Sequence, residues 1–154
     1  MLAEAYIMNN QYDDAIRIAD RLLEMNPQMR IAIETKGWCY GLKGDWNKAA
    51  EYFTEVHRLT NHPLKGLAPL GYAYGMLGEK EKALDIIKKI EQRQIEEPHA
   101  VLDPDLMMVW WSLRDLDKTY HYMHKCIEQQ MGPFNYMLEL PMMKGIEEDP
   151  RIKA

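Results

Sequence analysis

The chain has 154 residues, 47% of them apolar and 28% charged, with a formal net charge of −5, an ordinary balance for one folded domain able to bury a core. That mild acidity removes the electrostatic case for nucleic acid, since phosphates are neutralised by Lys and Arg clustered on one face, and the most basic stretch, Lys80, Lys82, Lys88 and Lys89, is interrupted by Glu79, Glu81 and Asp85. No apolar run approaches the ~18 residues of a membrane span, Met1 begins no signal-peptide pattern, and two cysteines, Cys39 and Cys126, make no disulfide framework; a reducing, cytoplasmic setting without membrane contact is expected.

The chain opens in Leu2-Ala3-Glu4-Ala5-Tyr6, amphipathic at once and without a cap, and is expected to continue a longer chain upstream. From there a step of 34 residues recurs. Tyr6, Tyr40 and Tyr74 keep it, as do Ala3, Gly37 and Gly71, then Asn10, Gly44 and Gly78. Tyr12, Trp46 and Lys80 follow the same step, and so do Ala15, Ala49 and Ala83. Self-similarity at this period marks a repeat architecture. Within each copy the small residues sit on a first and a second helix and let the two approach closely. The Tyr column fills the space beside the crossing, and Asn10, Gly44 and Gly78 end the first helix, where a left-handed residue is wanted. A second amphipathic helix follows, such as Trp46 to Leu59, and Pro27 and Pro63 mark breaks between hairpins. The copies span 1–29, 30–63 and 64–97.

A degenerate fourth copy, 98–130, aligns Trp110 with Tyr74, Arg114 with Gly78, Thr119 with Ala83 and Met123 with Ile87, at a step of 36. Asp103-Pro104 is expected to supply an N-cap followed by proline at the first helical position. Met107 stands where a glycine is expected, so this hairpin is expected to pack differently or more loosely. In 131–154, Gly132-Pro133 breaks the helix, and Phe134, Tyr136, Met137, Leu138, Leu140, Met142, Met143 and Ile146 read as an irregular C-terminal cap over the apolar face of the last hairpin.

The 34-residue pattern resembles the tetratricopeptide repeat family: Leu70-Gly71-x-x-Tyr74 and Gly37-x-x-Tyr40 match its motif as they stand, over Met1 to about Gln92. The resemblance implies an all-α fold, a right-handed superhelix of three and a half to four hairpins, and a binding scaffold instead of an enzyme. Glu148-Asp149-Pro150-Arg151-Ile152 and Leu113-Arg114-Asp115-Leu116-Asp117-Lys118 resemble the ends of repeat domains at the C-termini of bacterial multidomain regulators, where the module follows a winged-helix, cyclase or kinase domain. Arg114 departs from the glycine usual there.

In such a stack the first helices line the concave surface, and positions spaced by three or four share that face. They are Glu4 and Ile7; Ile31, Glu34, Trp38 and Gly41; Lys65, Ala68, Tyr72 and Gly75; and Val101, Pro104, Met108 and Trp111. Glu4, Ile7, Ile31, Glu34, Trp38, Lys65, Tyr72, Met108 and Trp111 form the expected partner-binding groove, because aromatic anchors in concave sites dominate binding energies. Trp38 and Tyr72 are expected to be surplus to the hairpin crossing, and Trp111 is the member most suited to core packing; the alternative is that some of these aromatics pack against their neighbours or under the C-terminal segment. The family's carboxylate clamp for chaperone tails needs cations at positions here holding Glu4, Glu34, Trp38 and Ala68, with Lys65 the one cation left, so an acidic tail is disfavoured and a positive or neutral partner favoured.

His121-x-x-His124-x-Cys126 has metal-ligand residue types, but the register puts Cys126 in the packing and both histidines outside, so no metal is expected. No catalytic order of Ser, His, Cys or Asp and no phosphate loop is present, and no cofactor is expected. The 12 methionines, many of them in the last third, suit loosely specified core and cap packing, the alternative being a soft, adaptable surface for a helix or peptide. The expected function is regulatory protein or peptide recognition, in cis or in trans, within a larger bacterial signalling or transcriptional regulator. The alternatives are self-association as a homodimer and small-molecule sensing in the same groove.

Overall fold

The computed structural model describes residues 2–60, 62–129 and 138–153 and, within them, the side chains of all but residues 2–4, 147, 152 and 153. Its helices pair into four hairpins: α1 (Leu2–Met8) with α2 (Tyr12–Met25), α3 (Arg30–Leu42) with α4 (Trp46–Leu59), α5 (Leu67–Met76) with α6 (Lys80–Glu96), and α7 (Asp103–Ser112) with α8 (Leu116–Glu128). Stacking carries α2 onto α3, α4 onto α5, and both α5 and α6 onto α7, giving an all-α repeat superhelix. After α8, two 3-10 turns, Pro141–Met143 and Ile146–Glu148, lead into the short α9 (Pro150–Lys153).

One backbone device closes all four hairpins. Asn10, Gly44, Gly78 and Arg114 have φ of 58°, 99°, 76° and 58°. The residue after each donates its amide back to the aromatic column: Gln11 to the Tyr6 carbonyl at 2.8 Å, Asp45 to Tyr40 at 2.9 Å, Glu79 to Tyr74 at 2.9 Å and Asp115 to Trp110 at 3.2 Å. This six-to-one bond over a left-handed residue satisfies carbonyls that a helix end would otherwise leave unpaired. In the fourth copy an arginine adopts the conformation that costs an L-residue energy; its guanidinium lies 4.5 Å from the Trp111 ring centroid, a contact that offsets part of that cost. The second helices of copies two and four then start on aspartate caps, Asp45 accepting from the Lys48 amide at 3.0 Å and Asp115 from the Lys118 amide at 3.1 Å.

The small columns are where the helices touch. Ala15, Ala49, Ala83 and Thr119 are each 0% exposed, and the Thr119 hydroxyl donates to the Asp115 carbonyl at 2.7 Å, so its extra polar atom is satisfied. A Cβ on Gly37 would fall 2.6 Å from the Phe53 ring, and one on Gly71 would meet Ile86 of its own hairpin at 3.0 Å and Val109 of the next at 3.1 Å. Met107 is fully buried, so the fourth copy accommodates its larger side chain inside the core instead of leaving it loose.

The apolar interior falls into two parts. Ile7, Ala15, Ile16 and Cys39 join the first two hairpins. A larger core runs from Phe53 and Leu70 through Ile87, Leu106 and Val109 to Met142, Met143 and Ile146. The C-terminal segment therefore belongs to the main core. Its far end does lie on the last hairpin, where Arg151 donates to Asp117 at 2.7 Å and stands 4.1 Å from the Tyr120 ring centroid. Its nearer part departs from the expected cap: it enters the concave side and bonds to α5 and α7. Gly132, Pro133, Phe134, Tyr136 and Met137 lie outside the described residues.

Candidate partner-binding cleft

Two side chains expected on the groove wall are occupied by the chain itself. The Tyr72 hydroxyl on α5 and the Trp111 indole N–H on α7 donate to one acceptor, the Met142 carbonyl, at 2.6 and 3.0 Å. Both side chains are buried, as are Met142 and Met143. Burial pushes the Tyr72 phenol up to about 12, so it remains a protonated donor at neutral pH. Trp38 is also engaged, edge-on to Phe53 at 4.9 Å and to Tyr72 at 5.5 Å between centroids. The expectation that Trp38 and Tyr72 are surplus to packing is thus corrected: they join α3, α4 and α5, and Tyr72 also holds the tail.

What stays open is a cleft of about 340 Å³ between the tail and three successive first helices. Arg30, Glu34 and Trp38 come from α3; Leu64, Lys65 and Gly66 from the turn before α5; Ala68 and Pro69 from α5; Asp105 and Met108 from α7; and Leu140, Met142 and Met143 from the tail. Of the residues read from the sequence, Glu34, Trp38, Lys65 and Met108 meet here. Ile7 is buried in the first core cluster, which removes it from any groove. Ile31 is 59% exposed and outside the cleft. Glu4 stands on α1, with its side chain outside the described residues.

The cleft is electrostatically uneven. Burial raises the Glu34 carboxyl above its ordinary range, with Arg30 opposing at 3.7 Å. Burial, and then the negative charge of Glu34, pushes Asp105 up to about 6. Asp105 has no hydrogen bond or ion pair among the described residues. Lys65 is exposed at the rim, its carbonyl accepting from the His57 ring at 2.9 Å. Asp105 is the residue sequence reasoning missed, although it stands three before Met108 and four after Val101, on the face already chosen.

Among the described residues no group of three or more His, Cys, Asp or Glu side chains is arranged for a metal ion. His121 and His124 are exposed while Cys126 is buried, so the triplet is divided between two faces. No described helix is long and apolar enough to cross a membrane.

The family model for the anaphase-promoting complex, cyclosome, subunit 3, a repeat family of tetratricopeptide type, matches residues 8–90. The chain belongs to this tetratricopeptide-type family. The match covers most of the first three hairpins, including α3 and α5, which supply two walls of the cleft. Tetratricopeptide stacks are protein-interaction scaffolds, and that is the class of this chain. No curated protein matches it.

Proposed function

We propose that this chain binds a protein or peptide partner in the cleft bounded by α3, α5, α7 and the C-terminal segment, as the regulatory interaction module of a larger bacterial signalling or transcriptional regulator. The observation that carries the reading is the convergence of Glu34, Lys65, Asp105 and Met108 on one concave opening, with polar groups that the packing does not consume. Grooves with an apolar floor and a few convergent polar groups are where partners gain affinity and register. The regulator context is supported by the tail, whose Glu148-Asp149-Pro150-Arg151-Ile152 resembles the C-termini of such proteins. A small-molecule ligand is the second reading, favoured by a volume near the lower end of the ~300–1,000 Å³ of ligand sites.

The test is nuclear magnetic resonance mapping on the whole chain with peptides selected from a displayed library. Amide shifts centred on Glu34, Lys65, Asp105 and Met108 support the cleft. Shifts centred on the outer helices α6 and α8 refute it.

A further inference from the structure

We infer that the cleft takes a basic side chain of the partner, a lysine or arginine, with its charge held between Glu34 and Asp105. The inference rests on the cleft being the partner-binding face and adds what that partner must carry.

From α3 come Glu34 and Arg30; from the turn before α5, Lys65; from α7, Asp105; the tail contributes only Leu140, Met142 and Met143. The two cations are the outer members. Lys65 is exposed, and the Arg30 side chain is 44% exposed against 31% for Glu34, touching it only at 3.7 Å. Asp105 receives no cation and no hydrogen bond from the described residues. The interior of the cleft is therefore negative, with carboxylates that lie beside apolar side chains and repel each other.

Such a pair is costly while empty, because a partly desolvated carboxylate next to another favours neutrality. A cation between them reverses both terms: it replaces repulsion by attraction in a low-dielectric setting and supplies charge-assisted hydrogen bonds. Trp38 on the same wall offers an aromatic surface that favours a cation over an anion. The aliphatic stem of a lysine or arginine suits the Leu64, Met108 and Leu140 lining, which a bare metal ion would leave uncovered.

The experiment compares acetyl-leucyl-lysyl-leucine amide with its analogue carrying 6-hydroxynorleucine, a neutral residue of nearly the same shape as lysine. Each is titrated by amide shift into the whole chain, wild type and Asp105→Asn. The lysine peptide is expected to bind at the cleft about tenfold more tightly than the hydroxyl analogue at pH ~7.5. The ratio should fall toward one in Asp105→Asn, and at pH ~5, where the wild-type Asp105 carboxyl takes up a proton. Glu34→Gln provides the same reading should Asp105→Asn fail to fold. Equal binding of both peptides at the cleft overturns the cation site and leaves the partner face standing. Shifts outside the cleft, or none with either peptide, overturn the partner face and the cation site together.

Discussion

Tyr72 and Met142, 70 residues apart, are joined by a buried 2.6 Å hydrogen bond from the phenol to the main-chain carbonyl. Trp111 donates to the same oxygen, so both lone pairs of that carbonyl are used inside the protein. Tyr72→Phe removes one donor and keeps the ring. It should cost about 0.5–1.5 kcal/mol in urea unfolding, with the helical circular dichroism unchanged. A neutral effect would mean that the Tyr72 hydrogen bond does not help to hold the tail.

Replacing Trp38 and Tyr72 together by alanine is a packing test. The two rings touch each other, Trp38 also meets Phe53, and Tyr72 also meets Trp46 at 5.3 Å. Large aromatic-to-alanine changes in a core cost about 3–5 kcal/mol each, so the double variant should melt far below the parent or fail to fold. A variant that keeps the parental melting temperature would restore these residues to an open groove.

The contrast between Trp38 and Glu34 shows how much was legible in the sequence. Period and column predict the hairpins well: they make Asn10, Gly44 and Gly78 helix-ending positions, and all three have positive φ, joined by Arg114 in the fourth copy. Helical spacing also put Glu34, Trp38, Lys65 and Met108 on one face, and they do share the cleft. What periodicity cannot supply is the cover over a face. Tyr72 and Trp111 became donors to Met142 because a non-repeating segment folds back across the first helices, and no local pattern encodes a contact at that separation. Asp105 was missed for a smaller reason: with a Pro104–Asp105 pair at the start of α7, the face could be carried by either neighbour.

The glycine at the α3 crossing gives a prediction with an internal control. Gly37→Ala places a methyl 2.6 Å from the Phe53 ring, which is itself fully buried and cannot retreat freely. The expected loss is about 1–3 kcal/mol, whereas Lys80→Ala on the exposed start of α6 should stay within about 0.5 kcal/mol. Adding Phe53→Leu to Gly37→Ala should return part of the loss. Equal costs at Gly37 and Lys80 would break the repeat register.

Asp105 makes stability depend on acid in an unusual direction. Its folded pKa, about 6, is above the ordinary 3.8, so between those values the folded chain binds more protons than the unfolded one. By linkage, stability falls as pH rises through this window, and at neutral pH the charged Asp105 is a liability. Asp105→Asn should therefore raise stability at pH ~7 by about 1–3 kcal/mol, discounted for partial exposure, and change little at pH ~4. Thermal melts of both proteins across that range check it; a stabilisation independent of pH would show that the carboxyl is not desolvated.

The most direct measurement for the account as a whole is a crystal structure of the chain with a library-selected peptide bound. Peptide density is expected between α3, α7 and the tail, in contact with Glu34, Asp105 and Met108, while the Met142 carbonyl keeps its bonds to Tyr72 and Trp111. Density on the outer helices α6 and α8, or a peptide lying where Met142 and Met143 now sit with the tail expelled, would contradict it.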